Sequence, residues 1–410
     1  MLKKFIKKFK KLPDSNKSMI YLMWIYGAGS IIGSLFVNIY IFSFNKEILD
    51  VLYYNLIFMI SVLTWFSLVW WIMSLYQKNI KNMYYLAYSA YILAFILLFI
   101  FRWYLGIYLF AVIFGLGFWM FRCAVHTQEL VNIKDKTRDI YSSIISSWIN
   151  IINIVIPIII SAIFFIVAKY FDFSAYIILF LILPIIYATS FFFIKDIWDY
   201  IPSKINKKDI MNFFNFRKYW FGQLYFFSVW VYQWIMWFLF PIIAIILLKS
   251  EINVGLFEWF IWLISTFVII FISSKRKRNN RIKIMWILSV LLLLNLIIFI
   301  FNFSIYGYIF YTLVALILLP LYRISEHVFD LKLMDTIKVK WSDFFPSMIL
   351  REISLLSWRI TILLFFIYLT INWTKDIFII KTWLFLIWIF LMIAWWSIAL
   401  HMKYENKEKS

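Results

Sequence analysis

The chain has 410 residues, 65% of them hydrophobic and only 15% charged, with a formal net charge of +20. A water-soluble domain of this length cannot hide that much apolar surface, so a soluble enzyme is excluded and an integral membrane protein is indicated. The positive charge would suit a nucleic-acid partner if it were gathered on a polar domain, but it is spread over the termini and short loops of an apolar chain, so no such partner is expected.

The first eighteen residues carry seven lysines, Lys3, Lys4, Lys7, Lys8, Lys10, Lys11 and Lys17, with Leu2, Phe5, Ile6, Phe9 and Leu12 near one helical face. Such a segment can lie on an anionic leaflet, and it equally serves as a basic tail that sets topology. The apolar stretch that follows is long enough to span, and no small-residue cleavage site follows it, so the segment is read as retained. A spanning helix needs roughly 20 apolar residues. Stretches of that kind cover 19–44, 48–76, 83–101, 107–128, 141–168 and 175–195, and then 217–248, 255–274, 282–301, 305–325, 345–370 and 376–400. The expected architecture is therefore all-α, with twelve transmembrane helices. It reads as a basic N-terminus (1–18), a first six-helix bundle (19–195), a charged linker (196–216), a second six-helix bundle (217–400) and a short tail (401–410).

Twelve spans put both termini and the even-numbered loops on one side. Counting the loops, the termini and the span ends that flank them, 30 lysines and arginines fall on that side and 6 on the other. The positive-inside rule then places both termini in the cytoplasm, in a bacterial cytoplasmic (inner) membrane. The single cysteine, Cys123, excludes an intrachain disulfide and a multi-cysteine metal site; no cofactor and no metal are expected.

A polar constellation occurs twice at one interval. Arg122, His126, Glu129 and Leu130 return as Arg323, His327, Asp330 and Leu331, each 201 residues on, and Gly106 returns as Gly307. An interval near half the chain marks two similar halves in tandem. Positions i, i+4 and i+7 share a helix face, so each set forms a polar stripe at the inner end of the fourth or tenth span. The first reading is a charge network or cytoplasmic gate, with Glu129 paired to Arg138 and with His126, His327 and Asp330 as its other members. The second is substrate binding by Arg122 and Arg323, since arginine within a span is costly and marks function. A proton relay through a histidine and a metal clamp of two histidines and two carboxylates follow in that order.

Further polar positions within spans are Asn38, Asn150, Gln233, Arg351 and Arg359, all candidates to line a cavity. Polar side chains within a span turn toward protein or water, not lipid. Packing of neighbouring helices is the competing reading for Asn150 and its serine neighbours. Deep charge is mostly positive, which favours an anionic or hydrogen-bonding solute over an organic cation.

Twelve spans in two parallel halves, with Glu129, Arg138 and Pro157 after and within the fourth and fifth spans, resemble the major facilitator superfamily. Asp330 repeats the acid in the second half, while Val339 stands where the arginine would be. The family's Gly, Asp, Arg, Gly, Arg pattern between the second and third spans is degraded to Gln77, Lys78, Asn79, Ile80, Lys81, Asn82, without the acid and the glycines. The resemblance implies a monomeric secondary transporter of a small solute that works by alternating access at a midplane site, with proton coupling open. A transporter-like sensor or scaffold that no longer transports is the alternative, and the degraded loop would suit it. No nucleophile with a paired base is evident, so no enzymatic activity is expected.

Overall fold

The computed structural model describes residues 9, 12–76, 79–101, 103–132, 135–171, 173–201, 220–273, 281–319, 322, 344–372 and 376–409. Among them there is no strand. Without water in the hydrocarbon layer, a backbone must satisfy its polar groups within its own segment, and only the helix does this for a single apolar stretch.

The first helical run is α1 (Asp14–Ile31), a π-helical turn (Ile32–Phe36) and α2 (Val37–Asn45). It is followed by α3 (Ile48–Tyr76), α4 (Ile80–Ile100), α5 (Tyr104–Asn132), α6 (Asp135–Tyr170), α7 (Ala175–Ala188) and the short α8 (Phe191–Ile194). The second half holds α9 (Trp220–Leu248), α10 (Glu251–Ser273), α11 (Arg281–Phe301), α12 (Ile305–Leu319), α13 (Phe344–Asn372) and α14 (Asp376–Lys409). A helix therefore lies over each stretch read as a span. Six of the described helices are long and apolar enough to cross a membrane, or seven if the α9–α10 pair, bent by 117°, counts as one span. The protein is a multi-pass membrane protein. The tail expected at 401–410 continues α14 as far as Lys409.

The 201-residue interval reappears as structure. The helices α4 and α11 are both 21 residues long and begin at 80 and 281; α5 and α12 begin at 104 and 305; α7 and α14 begin at 175 and 376. Gly106 and Gly307 occupy one role: each sits in the first turn of its helix against the carbonyl of the residue five positions earlier, Phe101 or Asn302, where a Cβ would overlap that oxygen. The first helical run of each half also ends alike, on a lysine in the left-handed region, Lys46 at φ 58° and Lys249 at φ 64°. Each donates its backbone N–H to the carbonyl four residues back, capping the last turn.

By spatial clustering the chain divides into a unit of Met1–Asn206 with Asp343–Leu356 and a unit of Lys207–Ser342 with Ser357–Ser410. In the first, α5 packs against α3 and α4, α4 against α7, and α1 against α6 and α7. Small residues admit close approach. Gly29 on α1 lies under the Tyr187 hydroxyl of α7, Gly33 under Phe114, and Gly117 of α5 against Tyr91 and the Ala87 carbonyl of α4. Asn55 donates to Asn38 (3.1 Å) inside the bundle. The N-terminal segment turns back on α1: Phe9 packs on Tyr21 and Trp24 at centroid distances of 5.8 and 6.2 Å, and Leu12 is buried. Two of the five apolar residues expected to meet lipid thus meet protein.

In the second unit, α14 packs on α9 and α11. Trp383 is fully buried between Phe366 (4.8 Å) and Phe238 (6.0 Å), and Tyr311 stacks on Phe299 (5.3 Å) while Tyr308 lies tilted against it (5.9 Å). Asn295 answers a carbonyl of the neighbouring helix, donating to Tyr311 (2.9 Å).

The contact at Gly29 sets a test. Gly29→Leu forces a side chain into the space of the Tyr187 ring, and overpacking costs typically about 1–3 kcal/mol. The variant is expected to unfold at a lower temperature in detergent, followed by tryptophan fluorescence, whereas Gly27→Ala, whose Cβ would meet only Ile152 at 3.7 Å, is expected to leave the midpoint near wild type.

Candidate functional site

The polar stripe is carried by α5, a 29-residue helix whose other faces are buried by Phe110, Ala111, Phe114, Phe121, Cys123 and Ala124. Arg122 lies about ten residues from the Asn132 end, roughly 15 Å along the axis. Its side chain is exposed on the surface of the first unit. The guanidinium carbon stands 5.7 Å from the ring centroid of Tyr26, on α1, and 5.7 Å from that of Phe118, one turn away on α5. It also interacts with the Tyr26 hydroxyl. Two aromatic faces and a phenol so hold a planar cation in place.

One turn on, His126 Nδ1 lies 3.3 Å from Glu129 Oε2, with the two side chains 37% and 29% exposed. The partner expected for Glu129 was Arg138; the described contact is the histidine on its own helix. Arg138 lies in the first turn of α6, not in a loop, and its side chain is outside the described set. Arg323, His327 and Asp330 also lie outside the described residues. Gln233, Asn150 and Arg351 are on α9, α6 and α13, with side chains outside that set. Asn38 and Arg359 are both buried. Asn38 is 3% exposed and bonded to Asn55, and Arg359 is 5% exposed. The Asn38 contact is one of helix packing: a buried amide in the first turn of α2 finds a partner on α3. Among the described residues no group of three or more His, Cys, Asp or Glu comes together.

Sequence reasoning missed a second feature, a strap formed by Ile197–Tyr200 just past α8. Asn79 caps α4, accepting from Lys81 N–H (3.0 Å), and its amide donates to Asp199 Oδ1 (2.5 Å). Lys81 Nζ lies 3.7 Å from the same carboxylate oxygen. Ile80 N–H donates to the Tyr200 carbonyl (2.8 Å), Trp198 N–H to Ser15 Oγ (3.1 Å), and Gln128 Nε2 to the Trp198 carbonyl (3.0 Å). One short segment therefore ties the ends of α1, α4 and α5 together. The acid absent from the loop between the second and third spans is supplied 120 residues later by Asp199. The available signal was the Asp-x-x-Asp pair, Asp196 and Asp199, in a basic linker.

With this geometry the chain can be set beside known proteins. At the level of sequence, no protein-family profile and no curated protein matches it. At the level of structure, it is similar to a bacterial homologue of the iron transporter ferroportin in the inward-facing state, with 12% identity, a TM-score of 0.67, and 97% of this chain and 98% of that one covered. A POT family transporter in complex with 5-aminolevulinic acid shares 11% identity at a TM-score of 0.67, over 97% and 99% of the two chains. The chain has the major facilitator fold. A D-xylose–proton symporter follows at 11% identity and a TM-score of 0.59, over 92% of this chain and 96% of the symporter. Near-complete coverage of both chains in each case means that the fold extends over both halves.

The strap can be tested at its centre. Asn79→Ala removes a helix cap and the bond to Asp199 together; losing such a cap costs about 0.5–2 kcal/mol. Lys81→Met removes only a half-exposed ion pair, worth about 0–1 kcal/mol. Thermal unfolding in detergent is expected to rank Asn79→Ala clearly below Lys81→Met and wild type; equal midpoints for the two variants would show that the Asn79 cap and its bond to Asp199 contribute no more than the ion pair.

Proposed function

We propose that this protein is a secondary transporter that moves a small anionic or polar solute across a bacterial cytoplasmic membrane by alternating access. The observation that carries the reading is Arg122. A guanidinium about 15 Å from the end of an apolar helix is too costly to face lipid, and by default it marks a water-filled path or a ligand. Here it is exposed and held between Tyr26 and Phe118, in a fold whose solved examples include a homologue of an iron transporter and a D-xylose–proton symporter. Arginine presents fixed donors that match carboxylate or phosphate oxygens, which supports an anion over a cation. Placement of basic residues supports two cytoplasmic termini, and the basic N-terminus supports contact with anionic lipid; the transporter works as a monomer and has no nucleic-acid partner. The sensor or scaffold reading rested on the degraded loop, and Asp199 weakens that reason by restoring an acid to it.

Purified protein in liposomes should take up at least one member of a panel of carboxylates, inorganic phosphate, sugars, amino acids and nucleosides. Arg122→Gln is expected to lower that uptake by tenfold or more, about 1.4 kcal/mol, with Arg122→Lys in between. Uptake of no solute across the panel, with or without a pH gradient, would overturn transport; uptake unaffected by Arg122→Gln would remove Arg122 from the site. Alkaline phosphatase fused after Ser410 should be inactive in cells, and activity there would reverse the topology.

A further inference from the structure

The core of the first unit contains a column of tyrosines that the transport reading does not use. Tyr84, Tyr88 and Tyr91 follow at i, i+4 and i+7 on one face of α4 and run roughly 10 Å along it. All three are 0% exposed, as is Tyr187 of α7. Tyr91 and Tyr187 stack at 4.9 Å, Tyr88 lies 5.9 Å from Tyr91 and 6.0 Å from Tyr187, and Tyr26 lies 6.1 Å from Tyr91. Only one of the four buried hydroxyls has a partner of its own: Tyr88 donates to the Leu22 carbonyl at 2.6 Å. The hydroxyls of Tyr84, Tyr91 and Tyr187 have no hydrogen-bond partner among the described residues, and neither do Gln128 Oε1 and Ser190 Oγ.

So many buried polar atoms without partners in one small bundle are not tolerated dry. Each would forfeit the full cost of desolvation, and in native proteins such groups are met by internal water. The column also has two defined ends. Tyr84 lies within electrostatic range of the Glu129 carboxylate and of Cys123, and Glu129 in turn pairs with the part-exposed His126. Tyr91 lies within range of Tyr26 and of Arg122. Tyr88 is within range of Tyr84, Tyr187 and Tyr26 and so joins the two. Phe121 of α5 lines this side, 6.0 Å from Tyr84, 5.7 Å from Tyr88 and 4.2 Å from Tyr26.

We propose that these tyrosines enclose a chain of bound water that links the His126–Glu129 pair to the Tyr26–Arg122 site and carries protons between them. Along it, each hydroxyl accepts a proton from the water on one side as it gives its own to the water on the other, so no charge or atom is left behind. The end groups have the right chemistry: a part-exposed imidazole and carboxylate, 3.3 Å apart, stand at one end, while the permanent cation of Arg122 keeps the other end from storing an excess proton.

Two measurements decide it. Radiolytic hydroxyl-radical labelling of the protein in lipid nanodiscs modifies side chains touching water, and Tyr91 and Tyr187 are expected to be labelled although buried, with the exposed Tyr170 and Tyr306 as positive controls and the apolar-packed Phe95 unlabelled. Absence of label on both tyrosines while the controls react would overturn the water chain. In proteoliposomes holding a trapped pH-sensitive dye, with the potential clamped by potassium and valinomycin, wild-type protein is expected to admit protons faster than empty liposomes, and Tyr91→Phe/Tyr187→Phe roughly tenfold more slowly than wild type. Proton entry no faster than in empty liposomes, or a double variant as fast as wild type, would overturn the path. A thermal midpoint guards against misfolding and gives an independent sign: a hydrated hydroxyl makes Tyr187→Phe less stable, whereas a dry, unpartnered one makes it more stable, and the latter result also overturns the proposal. Neither measurement uses a transported solute, so a failure here is separate from a failure of the transport reading.

Discussion

The hydrocarbon layer offers no hydrogen bonds, and everything in this protein follows from that. Backbone groups close on themselves as helices, and a side chain with polar atoms must turn toward another helix, toward an end of the bundle or toward water held by the protein. The first unit shows all three solutions. Asn38 and Asn55 answer each other between α2 and α3. Gln128, Ser15 and Asn79 are drawn to the bundle end, where the Ile197–Tyr200 strap meets them. Arg122, flanked by Tyr26 and Phe118, opens to the surface of its unit.

The strap shows how tertiary structure repairs a motif that looks broken in one dimension. Read locally, Gln77–Asn82 has lost its acid, and the loss suits a protein that has given up transport. In space, Asp199 reaches the same cap through Asn79 and Lys81. The carboxylate is highly exposed, so its charge contributes little by itself. Its effect is geometric: it completes a set of bonds whose backbone members, Ile80 to Tyr200 and Trp198 to Ser15, hold the segment after α8 against the ends of α1 and α4. The first residues of the stretch read as linker are in this way part of the bundle.

Much of the fold was legible because its signals are additive along the chain. Apolar runs near the length of a bilayer mark helices whatever their neighbours, and a helix lies over each of those runs. The 201-residue interval was legible because Gly106 and Gly307 are rare residues, and the structure shows why glycine is needed there: the first turn folds onto the carbonyl of Phe101 or Asn302. The candidate site was legible only in part. Arg122, His126 and Glu129 share a face as helical spacing requires, and Glu129 meets His126, its i, i+3 neighbour, while the side chain of Arg138, the partner expected from the next helix, lies outside the described residues. The tyrosine column was illegible for the opposite reason: 26 tyrosines in a chain this aromatic give no contrast until burial separates Tyr84, Tyr88, Tyr91 and Tyr187 from those at the surface.

By itself, then, the sequence determined that this is an all-helical membrane protein built from two related halves, since hydropathy and repeat interval depend only on composition along the chain. Which polar groups face one another was decided by the tertiary structure alone. Asp199 with Asn79, Asn55 with Asn38, and Arg122 with Tyr26 are pairs from different helices or segments, and which segments come close, like the nesting of rings and backbones at Gly29 and Gly117, is a matter of packing that no periodicity records.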